Sequence, residues 1–230
     1  MFLPATLKSN MMDEITKRTM WAKAEREACD IFDSNGDASE LLGLARRLDK
    51  SSNGILRGYC YLWRGFFGAE KDAFSRASYL WQNLAEEIYS DTQDRGWWLH
   101  NAVVAELLCR DSKKSFSLNL LYRAHEALEA VDCEPSLVDD YIARQTFSLL
   151  RAEICLLKNE LDRTSQIIKE LLNGVPFRKS LTLELEGVAF SVLQKQKDEA
   201  VTSFREAAKH HSLFIHKARC IALAQHLELE

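Results

Sequence analysis

The sequence predicts an all-α protein built from antiparallel helix pairs, and three observations carry that expectation. Only 9 Gly and 3 Pro occur in 230 residues, far fewer turn formers than a β-rich chain of this length needs. Apolar residues recur at helical spacing along nearly the whole chain, as in Ile55, Tyr59, Leu62 and Phe66, which follow i, i+4, i+7, i+11. Two C-terminal stretches echo each other about 36 residues apart, close to the period of a stacked helix–turn–helix repeat. Leu149, Ala152, Leu156 and Leu157 lead through Asp162 to Ile168 and Leu171. Leu185, Val188, Val192 and Leu193 lead through Asp198 to Phe204 and Ala207.

About eleven helices are expected. The first runs from about Met11 to Asp33, with Ile15, Trp21, Ala28 and Phe32 as apolar residues, and Asp33-Ser34-Asn35-Gly36 ends it. Asp37 or Ser39 can cap the second, which carries Leu41, Leu44, Ala45 and Leu48 and stops at Ser51-Ser52-Asn53-Gly54. The third ends near Gly68. The fourth holds Ala77, Leu80, Trp81, Leu84 and Ile88, and the fifth follows Asp91-Thr92 with Trp98, Ala102, Ala105 and Cys109. The sixth follows Ser112 and carries Phe116, Leu120, Ala124, Ala127 and Val131.

Pro135 marks the start of the seventh, because a missing N–H costs nothing in a first turn. From about Ser136 to Lys158 that helix is apolar around much of its girth, so it should be flanked on two sides. The eighth ends at Asn173-Gly174, and the ninth and tenth form the second echoing pair after Pro176. A final helix from about Ser212 to Leu227, with Phe214, Ala218 and Ile221, would close the stack. No linker-like stretch divides the chain, so residues 11–230 read as one domain, with 1–10 expected to be frayed or disordered.

Composition excludes several classes of activity. A formal charge of −4 and pI near 5.9 give no general pull toward nucleic acid. Arg46-Arg47 and Lys113-Lys114 are too short for a basic track. No stretch is apolar for long enough to span a membrane, and Met1-Phe2-Leu3-Pro4 does not open a secretory signal. Cysteines at 29, 60, 109, 133, 155 and 220 form no Cys-x-x-Cys pair and sit mostly in apolar segments. They suit small core residues of a reduced, cytoplasmic protein.

Residue by residue, the echo resembles the tetratricopeptide repeat. Ala152, Cys155, Asn159, Thr164, Ile168, Leu171 and Pro176 occupy that family's pattern positions in the first unit. Val188, Ser191, Lys195, Ala200, Phe204 and Ala207 occupy them in the second. The family's turn glycine is missing from both, and an upstream unit through Gly68, Ala73, Ala77 and Leu80 fits less well. The resemblance implies a right-handed superhelix of about five antiparallel pairs plus a C-terminal closing helix. It also implies binding of another protein or peptide on the concave face made by the first helices of each pair. The lysine and asparagine set with which some relatives hold acidic chaperone tails is not matched.

Motifs for chemistry are sparse. His216 and Cys220, spaced i, i+4 and close to His210 and His211, could offer metal ligands. No H-E-x-x-H accompanies them, so a polar helix junction is the expectation, with no metal and no cofactor. Asp139-Asp140 fits a helix first turn, and Glu126 and Glu129 fit an exposed face. There is no G-x-S-x-G or phosphate loop. Gly58, Gly65 and Gly68 lie in a helical pattern and suit close helix packing.

Aromatic residues are the stronger signal. Tyr59, Tyr61, Trp63, Phe66 and Phe67 surround the third helix, and Trp97-Trp98 opens the fifth. Either the third helix is sandwiched between its neighbours, or some of these rings line a groove for a partner. The partner-binding candidates are Tyr61, Trp63, Trp97 and Trp98, with Arg57 and Arg64 as a polar rim. The expected role is non-catalytic binding as an adaptor, chaperone-like cofactor or sensor module. The alternatives are an all-α enzyme with dispersed catalytic residues and a compact bundle that dimerises.

Overall fold

The computed structural model describes residues 5–51, 54–70, 72–87, 91–109, 117–132, 141–173 and 178–229, without the side chains of 5–18, 51, 55, 132, 141 and 142. Pro135, Asp139, Asp140, Pro176, Lys113, Lys114, Ile88 and Cys133 lie outside the described residues or their side chains. Every regular element among the described residues is helical: α1 (Ala5–Ser34), α2 (Ser39–Ser51), α3 (Gly54–Gly68), α4 (Ala73–Ala85), α5 (Thr92–Leu108), α6 (Leu118–Asp132), α7 (Tyr141–Leu157), α8 (Leu161–Leu172), α9 (Lys179–Ala189), α10 (Lys197–His210) and α11 (Phe214–Leu229). A π-helical turn, Phe190–Gln194, continues α9. No described helix is long and apolar enough to cross a membrane.

Helix α1 starts at Ala5 rather than Met11, because no glycine or proline interrupts the run from Ala5 to Ser34. Its C-terminus shows how the pairs are joined. Asn35 takes the left-handed conformation (φ 52), and so do Ala69 after α3, Asn159 after α7 and Lys195 after the α9 extension. The Gly36 N–H reaches Ile31 O at 3.2 Å and the Glu160 N–H reaches Cys155 O at 2.9 Å, the bond that satisfies a carbonyl at a helix C-terminus. Residues 35 and 69 repeat this turn upstream just as 159 and 195 do downstream. The same left-handed turn thus closes α1, α3, α7 and the α9 extension. Asn, Ala and Lys stand where glycine is cheapest, which hides the turn from a search for glycine.

Consecutive helices pack on one another, and short connections make each pair reverse direction. The last helix departs from expectation. Rather than ending the stack beside α10 alone, α11 also packs on α5 and α1. Its side chains meet every odd-numbered helix: Phe32 of α1, Phe66 and Phe67 of α3, Trp97 of α5, Glu153 of α7 and Glu184 of α9. Phe214 is fully buried and sits edge-on to Phe66 at 5.1 Å between ring centroids and 4.9 Å from Phe67. Burying one such ring is worth about 1.5–3 kcal/mol, with about 0.5–1.5 kcal/mol more from each well-set ring pair.

Polar contacts fix the register of α11. The Glu25 carboxylate on α1 accepts the Phe214 N–H at 2.6 Å, satisfying a free donor of the first turn of α11. Lys217, nearly inaccessible, donates to Asp33 of α1 at 2.7 Å and to the Ala208 carbonyl at 3.0 Å. An ammonium at the C-terminal carbonyls of α10 is where a cation is favoured. The two ends of the chain are thus tied together.

Candidate functional site

Two of the six candidate binding residues are not where an open groove requires them. Trp63 is 0% exposed and Tyr61 6%, because α3 is packed between α2 and α4. The sandwiched placement is the one realised. The polar rim is committed as well: Arg57 Nε donates to Asp49 at 3.0 Å. Arg64 Nη2 donates to Glu70 at 2.6 Å and its Nη1 to Asp49 at 3.1 Å, and its guanidinium lies 4.9 Å over the Tyr61 ring. These arginines brace α3 against the end of α2 and the α3–α4 turn. Trp97 and Trp98 remain half-buried at a surface.

The face formed by the odd-numbered helices is covered by α11, and an ion pair holds it there. Arg219 Nε and Nη2 fork the two oxygens of Glu184 at 2.6 Å each, and Nη1 meets His216 Nδ1 at 3.0 Å. His211 Nε2 lies 3.2 Å from Glu184 Oε2, and the Cys220 thiol donates to Oε1 at 3.4 Å. Glu153 lies 3.6 Å from Arg219 Nε, and His100 Nε2 is 3.3 Å from Glu153. All these groups but the half-buried His216 are buried, so their charges are decided by one another. Burial opposes the ionisation of Glu184, but the Arg219 guanidinium and His211 hold its carboxyl well below the usual range. Burial and the Glu184 charge push Glu153 well above it. Burial and Arg219 push His216 well down, and for the same reasons His100 falls to about 3. At neutral pH the centre is one guanidinium facing one carboxylate, with burial favouring a protonated Glu153 and neutral imidazoles at His100 and His216.

This centre has poor prospects as a reactive site. Burial and Glu184 raise the Cys220 thiol well above its ordinary value, so no thiolate nucleophile forms at neutral pH. Glu184, His211 and Cys220 bring ligand atoms within 4.8 Å of one another, but Arg219 already neutralises the carboxylate that a divalent ion would need. A second group, His125, Cys155 and Glu160, has the same spacing. There Lys158 lies 2.7 Å from Glu160, and Arg163 pairs with Glu129, the carboxylate beside His125. In both clusters a protein cation stands where a metal would gain its charge. His210 lies apart, paired with Glu206 at 3.2 Å.

One open surface among the described residues lies at the N-terminal end of α11. A cleft of about 320 Å³ is lined by Tyr59, Asp94, Trp97, Trp98, Asn101 and His216, with Leu213 and Ile215 at its edge. Asp94, Trp97, Trp98 and Asn101 follow i, i+3, i+4, i+7 and so form one stripe along α5. Asp91 starts the stripe by capping the helix, its carboxylate accepting the Asp94 N–H at 2.7 Å. Burial and the Asp91 charge raise the Asp94 carboxyl above its usual range. Trp97 is steadied by Phe147 at 5.1 Å and His216 at 5.7 Å. On the far side of Leu213 and His216 lies a second cleft of about 360 Å³, lined by Arg178, Lys179, Ser180, His210 and His211 among others.

Glu184, Arg219 and Glu153 were not singled out in the sequence, though each is a charge set in an apolar run, such as Leu183-Glu184-Leu185. Asp94 and Asn101 share a helical face with the tryptophans, which is a usable signal. No family model, curated protein or solved structure matches the chain, so its fold and site stand on their own geometry.

Proposed function

We propose that the chain is a non-catalytic binding scaffold, a tetratricopeptide-like array of helix pairs whose partner segment docks at the Trp97–Trp98 cleft. The observation that carries this reading is that cleft itself. It joins two half-buried tryptophans and a carboxylate on one stripe of α5 to the N-terminal end of α11. Such semi-exposed aromatic anchors dominate the energetics of protein recognition. The remainder of the face expected to bind is occupied by α11, so the chain's own last helix takes the place of a long bound ligand. Further support comes from the buried polar centre, whose groups neutralise one another instead of presenting a nucleophile or base to a cavity.

Selection of random peptides on the immobilised protein tests the proposal, run in parallel on Trp98→Leu with its helical content verified. A consensus that is enriched on the wild type and lost on the variant is expected. A consensus that survives Trp98→Leu, or none at all, contradicts it.

A further inference from the structure

The aromatic cleft has a charge character that narrows its occupant. Among the described residues of its wall only Asp94 carries a full charge, since His216 accepts from Arg219, and Arg219 itself is answered by Glu184. Rings of Tyr59, Trp97 and Trp98 beside one carboxylate make an electron-rich, partly desolvated hollow. A cation over an aromatic face gains most where water is excluded. Asn101 adds an amide at the inner end of the same stripe, and its side chain engages the Tyr59 hydroxyl.

The neighbouring cleft has the opposite character. Arg178 and Lys179 are exposed at the start of α9, where the helix dipole also favours an anion. Leu213 and His216 form part of the wall of both clefts, and Leu213 is 39% exposed between them. A free small cation would use only one of these hollows. An extended segment crossing Leu213 would fill both.

Resting on the binding role proposed above, we infer that the Trp97–Trp98 cleft receives a lysine or arginine side chain of a peptide whose neighbouring acidic residue lies against Arg178 and Lys179. The peptide crosses the exposed Leu213 side chain, and the two charges set its direction.

The test uses the full chain labelled with ¹⁵N and its indole N–H signals, assigned with Trp97→Phe and Trp98→Phe. The probes are blocked short peptides carrying lysine, arginine or norleucine, each with and without a glutamate one to three residues away, and choline. The inference expects lysine and arginine peptides to shift the Trp97 and Trp98 signals, and norleucine to bind about fivefold or more weakly. It also expects Asp94→Asn to remove most of the advantage of the cation, and Lys179→Gln the advantage of the glutamate. Norleucine binding as tightly as lysine overturns the cationic occupant while leaving a peptide site in place. Choline binding as tightly as the peptides overturns the peptide as its source. No shift of either indole with any probe overturns both this inference and the binding role at that cleft.

Discussion

Arg219 and Glu184 meet through two parallel hydrogen bonds of 2.6 Å, with neither side chain more than 2% exposed. This pair joins α11 to α9 in the middle of the face that the first helices of the pairs create. The geometry is the strong form of a charge-assisted bond. Its interior position makes each partner dependent on the other.

Replacing Arg219 with Leu leaves Glu184 buried without its counter-charge and should cost about 3–5 kcal/mol in chemical denaturation. Pairing Arg219→Leu with Glu184→Leu should cost clearly less than the sum of the two single changes, because the double variant buries no lone charge. A strictly additive cycle would show that the pair does not act as a unit.

His100 predicts an acid limb. Its imidazole titrates near 6.5 in the unfolded chain and at about 3 in the fold, from burial and then the Arg219 charge. Between those values the unfolded chain binds the extra proton, so stability falls as pH drops through 6.5 and the loss is complete near pH 3. The slope from this group is about 1.4 kcal/mol per pH unit. Urea titrations of His100→Gln should show a limb shallower by about that amount.

Glu25 works in the opposite sense. Burial raises its carboxyl to about 7, against the N–H groups of Phe214, Ile215 and Trp63 that favour the charge. Above an unfolded value of 4.5 the fold retains a proton that the unfolded chain has released. Stability from this group is therefore full below pH 4.5 and is lost as pH rises through 7. Glu25→Gln keeps a carbonyl acceptor for Phe214, so it should gain on the wild type between pH 4.5 and 7 and hold that gain above it. An unchanged difference across that range would contradict the assignment.

Gly58 of α3 lies directly against Trp81 of α4. A β-carbon there would lie 2.5 Å from the Trp81 indole nitrogen, and Trp81 is wholly buried. Gly58→Ala should destabilise by about 1–3 kcal/mol despite the better helix propensity of alanine. A neutral or stabilising result in thermal melts would show that Trp81 can move.

Helical periodicity made the helices legible, since apolar stripes on amphipathic helices such as α2, α3 and α8 leave a direct trace in sequence. The turn positions Asn159 and Lys195 were legible by spacing, but their left-handed backbone was not, because neither residue type demands it. Asn35 and Ala69 show the same turn upstream, where side-chain matching gave no clear unit. Trp97 and Trp98, offered as groove residues, stand half-buried beside a cleft. Tyr61 and Trp63 instead take the sandwiched placement that was the other reading of the third helix, because a ring under a neighbouring helix and a ring in a groove give one sequence pattern. The placement of α11 was out of reach: its contacts with Glu25 and Asp33 span nearly the whole chain, and no local period reports such a pairing.

Amide hydrogen exchange along α11 tests most directly whether this helix is part of the core covering the odd-helix face. The account predicts that amides from Arg219 to Leu223 exchange only with global unfolding, at the same free energy as the central turns of α5 and α7. Exchange of α11 at a much lower free energy, with α5 and α7 still protected, would mean that the helix is a detachable occupant. The face beneath it would then be the binding groove after all.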